Sequence, residues 1–192
     1  MVKILLSLFA IAIVGAMAMT CYERRTFLNR HNQLRGDLVS GKVPGQPKAK
    51  SMTPMIWDNG LQATAQKKAD SCVFSHDTSA DRTPAGQATD PLYGWIGQNL
   101  AMLASSTGRF NSTSAMDMWW NEYKDYTYAT KTCAPRKACG HYTQMAWANT
   151  KNLGCAKKIC PINEKISMPW MIIVCNYAYG GNFNNEFPYV KA

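Results

Sequence analysis

Histidine is scarce in this chain: among 192 residues there are only His31, His76 and His141. Any imidazole chemistry rests on those positions. Acids are also thin, 12 against 21 basic residues, so the formal net charge is +9. No C-x-x-C pair occurs among the 7 cysteines, which removes the usual zinc-finger spacings. No G-x-S-x-G elbow marks a hydrolase serine. No internal repeat or low-complexity tract divides the sequence. Beyond its first residues, no apolar run is long enough to cross a bilayer. The length fits one domain with a substantial core, since about 150 residues already bury roughly 70% of their unfolded surface.

What is present begins with a leader. Lys3 precedes an apolar run over residues 4–14, and Ala16-Met17-Ala18 follows as an A-x-A-like cleavage site. Residues 1–18 read as a secretory signal peptide, because the run is short for a membrane anchor and small residues follow it. Losing Lys3 with the leader leaves a charge of +8. In an exported chain cysteines read first as disulfides. Cys72, Cys133, Cys139, Cys155, Cys160 and Cys175 lie in the body of the domain. Cys21 stands alone near the mature N-terminus, either free or joining a second chain as a dimer. Asn111-Ser112-Thr113 is an N-glycosylation sequon.

Between residues 131 and 165 stand Lys131, Arg136, Lys137, Lys151, Lys157, Lys158 and Lys165, against Glu164 alone. Such a segment is a solvated basic surface or a docking face for an acidic glycan, an anionic lipid or a partner protein. No nucleic-acid motif accompanies it, and export argues against that partner.

Hydrophobic spacing predicts a helix over 23–39, with Phe27, Leu34 and Leu38 on one face and His31 among them as a packed core histidine. Gly36 weakens that helix near its end. Residues 40–51 form a Gly/Pro/Lys-rich loop. Asp58 N-caps a second helix, with Leu61, Ala65 and Ala69 inward, running into Cys72. Residues 75–91 form a long polar loop, the expected variable rim of any site. A third helix is expected over 111–123, with Met116, Trp119, Trp120 and Tyr123 inward and Glu122 near its end. The stretches "HYTQMAWA" and "WMIIVCNYAYG" read as strands. Residues 170–174 are apolar at every position, so that strand is covered on both faces. Helices early and strands late imply helices on both sides of a central sheet.

"GHYTQMAWANTKNLGC" and "VCNYAYGGNF" resemble the two signature stretches of the CAP superfamily, which groups cysteine-rich secretory, antigen 5 and pathogenesis-related class 1 proteins and is also called SCP/TAPS. "RHNQLR", "FSHD", "GQNLA" and "WWNEYKDY" match the family in the same order, so the likeness covers nearly the whole mature chain. Within the family the chain looks most like the venom-allergen-like and activation-associated secreted proteins of nematodes. The resemblance implies an α+β fold, a three-layer α-β-α sandwich over residues 19–192, and bridges Cys72–Cys160, Cys155–Cys175 and Cys133–Cys139.

It also implies a cleft lined by His76, Gln98, Glu122 and His141. Many members carry an acid where this chain has Gln98. Three readings of such a cleft follow. His76 and His141 hold a divalent cation such as Zn²⁺ weakly, with Glu122 orienting a ligand or water. Alternatively, Glu122 and a histidine perform general acid–base hydrolysis, which the lack of a nucleophile and the neutral Gln98 disfavour. Otherwise the four side chains simply satisfy one another. The cleft is therefore expected to hold no catalytic residue and no obligatory cofactor. For function, the resemblance implies a secreted non-enzymatic effector that binds lipid or sterol and modulates host defence. The alternative is a protein-binding module acting through its basic surface, with Lys157 and Lys158 as its test positions. The apolar helix faces are the expected enclosure for an acyl chain.

Overall fold

The computed structural model describes residues 19–192, so the signal-peptide reading of residues 1–18 lies outside the described residues. In chain order the elements are α1 (Cys21–Val39), β1 (Ile56–Trp57), α2 (Asn59–Asp70), α3 (Ser79–Arg82), β2 (Gly97–Ala104), α4 (Ser114–Asn121), β3 (Tyr126–Thr127), β4 (Thr132–Cys133), α5 (Gly140–Met145), β5 (Asn152–Cys160) and β6 (Trp170–Ala178).

Local chemistry explains the helix ends. Thr20 caps α1: its hydroxyl accepts from the Glu23 N–H while Glu23 returns a carboxylate oxygen to the Thr20 N–H. The cap lets α1 begin ahead of the expected start, and Gly36 does not interrupt it. Asp58 caps α2 as the sequence indicates, accepting from Leu61 N–H at 2.9 Å. The loop 75–91 contains the short α3, itself closed by a Thr78–Asp81 capping box.

The main sheet runs β1-β5-β6-β2. β6 is antiparallel to both neighbours, and β1 pairs with β5 in parallel. All of β6 is buried, as an apolar central strand requires. Alternation then sorts its side chains. Met171, Ile173, Cys175 and Tyr177 join Phe27, Leu38, Met116, Trp119 and Tyr142 of α1, α4 and α5 in the larger core. Trp170, Ile172 and Val174 face Ala65 and Ala69 of α2 on the other side. The result is a three-layer α-β-α sandwich of the α+β class.

The bridges are Cys72–Cys160, Cys133–Cys139 and Cys155–Cys175. Cys155 and Cys175 are direct partners across β5 and β6. Cys21 is exposed and unpaired among the described residues.

Two local expectations are corrected. "HYTQMAWA" is not a strand: Gly140–Met145 is the helix α5. Tyr142 to Trp147 are buried without a break, so the run shows neither a period of 2 nor one of 3.6, and hydrophobicity alone cannot separate strand from helix. The third helix is shorter than expected, Ser114–Asn121. Glu122 lies just beyond it in the tighter turn Glu122–Asp125.

One charge is wholly internal. Arg35 is 2% exposed and is surrounded by carbonyls. Its guanidinium donates to Met145 O and Trp147 O at 3.0 and 2.7 Å, and to Thr53, Ala148 and Thr150 O at 2.9, 3.3 and 3.3 Å. Burial lowers its pKa to about 10, so it stays cationic at neutral pH.

Candidate functional site

β2 is an edge strand of the sheet, and the four cleft residues gather in two pairs beside it. The strand begins at Gly97, where an added Cβ would lie 1.9 Å from Gln144 Oε1, so any side chain there would displace the Gln144 amide. Successive residues then leave on opposite faces. Gln98 turns toward the α2 side and Asn99 toward α5, as their partners show.

On the α2 side, Asn176 of β6 donates to Thr64 Oγ1 at 3.0 Å, and its Oδ1 is left to accept. Gln98 supplies the donor at 3.0 Å, which turns its own Oε1 toward His76 Nδ1, also at 3.0 Å. The chain of amides thus sets the tautomer: His76 carries its proton on Nδ1 and a bare lone pair on Nε2. His76 itself is exposed, on the loop after Cys72, while Gln98 is 8% exposed.

On the other side, Glu122 holds the start of α5. Its Oε1 accepts from His141 Nδ1 at 2.6 Å. Its Oε2 accepts from the backbone N–H of His141 and of Tyr142 at 3.0 and 3.2 Å. Trp119 stacks on the imidazole with centroids 6.0 Å apart, and Asn99 donates to His141 O at 3.1 Å. In its neutral form His141 therefore also has its lone pair on Nε2. Both carboxylate oxygens of Glu122 are occupied, which suits an anchor better than a base waiting for water. No hydrogen bond joins the two pairs, and no group of three His, Cys, Asp or Glu converges among the described residues. Each imidazole is oriented through the partner of its Nδ1, Gln98 for His76 and Glu122 for His141.

His31 belongs to the core, as expected. It is fully buried, donates from Nδ1 to Phe27 O at 2.8 Å and accepts on Nε2 from the Tyr177 hydroxyl at 3.0 Å. Desolvation pushes its pKa down to about 4. Tyr177 in turn accepts from Asn99 at 3.2 Å, so a buried polar chain connects α1 to the residue that holds His141.

The structure also contains a site that the sequence reading missed. A groove of about 1010 Å³ lies beyond the C-terminal end of α5, with Tyr126, Tyr128, Trp147, Phe187 and Tyr189 among its walls. Tyr128 stacks on Phe187 at 4.8 Å and lies 4.9 Å from Tyr189. A smaller lobe of about 400 Å³ continues past Tyr126 and Trp147 toward Lys131 and Asn182. Burial raises the Tyr126 and Tyr189 hydroxyls to about 12, so both stay protonated. The signal was the aromatic spacing in "YKDYTY" and "NEFPYV", which carries no helix or strand period.

The helix faces expected to enclose an acyl chain are instead solid core: Phe27 and Met116 are 0% exposed and Leu38 is 1% exposed. Lys157 and Lys158 do not form one basic face either. Adjacent on β5, they point to opposite sides of the sheet, Lys157 to Glu23 of α1 and Lys158 to Asp70 of α2 at 3.7 Å. Asn111, the sequon residue, is exposed and accepts from Thr113 Oγ1 at 2.6 Å.

Comparison with known proteins follows the same outline. The model of the Cysteine-rich secretory protein family, CAP, matches residues 28–177. Venom allergen 5 of Vespula maculifrons is 34% identical over 181 residues, covering 91% of this chain and 74% of its own. GLIPR1-like protein 1 of Homo sapiens is 34% identical, over 85% of this chain and 61% of its own. Among solved structures, venom allergen-like protein 4 of Schistosoma mansoni gives a TM-score of 0.69 at 30% identity, over 88% of this chain and 94% of that one. The crystal structure of NaASP2 with Zn²⁺ gives 0.69 at 28% identity, over 91% and 88%. By motifs, fold and relatives together, this chain belongs to the CAP family of cysteine-rich secretory proteins.

Proposed function

We propose that this chain is a secreted, non-enzymatic CAP protein that binds a lipid or sterol and acts on the defences of another organism. The aromatic groove is the observation that carries the lipid part. It offers a large concave wall of Tyr, Trp and Phe, of the kind that shelters an apolar body. The three disulfides support life outside reducing compartments. The host-directed part draws on the likeness to venom allergens. The test is a titration of delipidated protein with a labelled sterol and a labelled fatty acid. Micromolar binding that weakens in Tyr128→Ala and Phe187→Ala supports the reading; no binding of either probe overturns it.

A second reading concerns the cleft. Two imidazoles with Nε2 lone pairs bind a divalent cation weakly, and NaASP2, 28% identical, was solved with Zn²⁺. Gln98 contributes no charge to that site. Calorimetry should find Zn²⁺ binding that weakens on acidification and is absent in His76→Ala, His141→Ala. Unchanged affinity in the double variant excludes this pair as the ligands.

A further inference from the structure

The groove carries polar groups that the protein itself leaves unused. Trp147 is 3% exposed and Tyr126 is 8% exposed, and both line both lobes. Neither the Trp147 indole N–H nor the Tyr126 hydroxyl is hydrogen-bonded to another described residue. Neither is among the atoms sealed from solvent. Two nearly buried aromatic residues thus keep an accessible donor where the lobes meet.

Charges of both signs accompany them. Lys131 and Glu186 line the same smaller lobe but form no ion pair with each other. Lys131 gives one N–H to Asn185 O at 2.8 Å, and its ammonium rests 4.8 Å from the centre of the Phe187 ring. Its other two N–H groups are unspent. The exposed Glu186 carboxylate accepts no hydrogen bond from a described residue.

Resting on the lipid reading above, we propose that the smaller lobe receives the zwitterionic phosphocholine head of a single-chain lipid whose tail lies in the aromatic lobe. The phosphate oxygens are pure acceptors and match Lys131, Trp147 and Tyr126, all donors. The quaternary ammonium has no N–H to give. It is held by aromatic faces and a carboxylate, here Tyr126, Phe183 and Glu186. A fatty acid head satisfies Lys131 but meets repulsion from Glu186. A sterol hydroxyl engages neither charge.

The test titrates delipidated protein with short-chain lysophosphatidylcholine below its micelle concentration, the matching lysophosphatidic acid, and cholesterol. Lysophosphatidylcholine should bind about tenfold tighter than lysophosphatidic acid. Glu186→Gln should erase that preference. Lys131→Gln should weaken both phospholipids about tenfold and leave cholesterol unchanged. Equal binding of the two phospholipids, insensitive to Glu186→Gln, overturns the headgroup site while leaving the lipid reading standing. No binding of any probe removes both.

Discussion

Gln98 and Asn176 face each other across β2 and β6, and a single hydrogen bond of 3.0 Å fixes the orientation of both amides. Asn176 is already committed to Thr64, so Gln98 must donate, and its remaining oxygen must accept from His76. A glutamate at 98 has no donor to offer. Its carboxylate would face the Asn176 oxygen, or Asn176 would have to turn and give up Thr64. Gln98→Glu should therefore cost about 1–3 kcal/mol of stability. The added negative charge should at the same time raise affinity for Zn²⁺. Thermal unfolding and calorimetry on one preparation check both halves; a variant that gains stability contradicts the amide chain.

His31 makes the fold acid-sensitive. Its folded pKa is about 4 against an ordinary value of 6.5, because full burial disfavours the imidazolium. The unfolded chain binds a proton in that window and the folded chain does not. Stability from this source is complete above about 6.5 and declines as pH falls toward about 4, by about 3 kcal/mol in all. Urea unfolding across the window should show the slope, and the non-titrating His31→Gln should flatten it.

The three bridges should rank by the loops they close. Sequence separations are 88 for Cys72–Cys160, 20 for Cys155–Cys175 and 6 for Cys133–Cys139. Chain entropy then gives about 4–5, 3 and 2 kcal/mol respectively. Paired Cys→Ala variants, compared by urea midpoint, test that order.

Glu122→Gln separates anchoring from catalysis. The carboxylate takes three hydrogen bonds at the start of α5, and a Gln side chain has one acceptor oxygen to offer. The variant should lose about 1–3 kcal/mol of stability. Ester or peptide hydrolysis by the purified protein should be the same before and after. A hydrolytic rate that vanishes in the variant, with folding intact, would reinstate a catalytic Glu122.

Lys157 is a structural cation more than a docking one. Its side chain is 18% exposed and meets Glu23 from α1. Lys157→Ala should cost about 1 kcal/mol or less. Tests of the basic surface as a partner site belong at exposed residues such as Arg136 and Lys165, where a pull-down can change without the fold changing.

Much of this was legible because the pattern and the physics agree. Phe27, Leu34 and Leu38 repeat at helical spacing, Asp58 sits where a cap is needed, and residues 170–174 are apolar throughout because both faces are covered. α5 was not legible, because uninterrupted burial erases the period that distinguishes strand from helix. The cleft residues could be named from the family motifs. Their division into two pairs follows from alternation along β2 and from the amide orientation of Asn176, neither of which a motif records. The aromatic groove was invisible for another reason. Tyr126, Trp147 and Phe187 come from well-separated stretches of the sequence, and only the folded chain brings them together.

Arg35 gives one wall of that groove, at Trp147 and Ala148, an unusual independence. Five carbonyls converge on its guanidinium, three of them from Trp147, Ala148 and Thr150, the segment that supplies the indole wall. Backbone carbonyls gathered in this way are also the ligands that a dissociable calcium ion takes. Here the cation is covalently part of the chain. It cannot be stripped by a chelator, displaced by a competing metal or diluted away, so the Trp147–Thr150 segment should keep its shape across a wide range of ionic media.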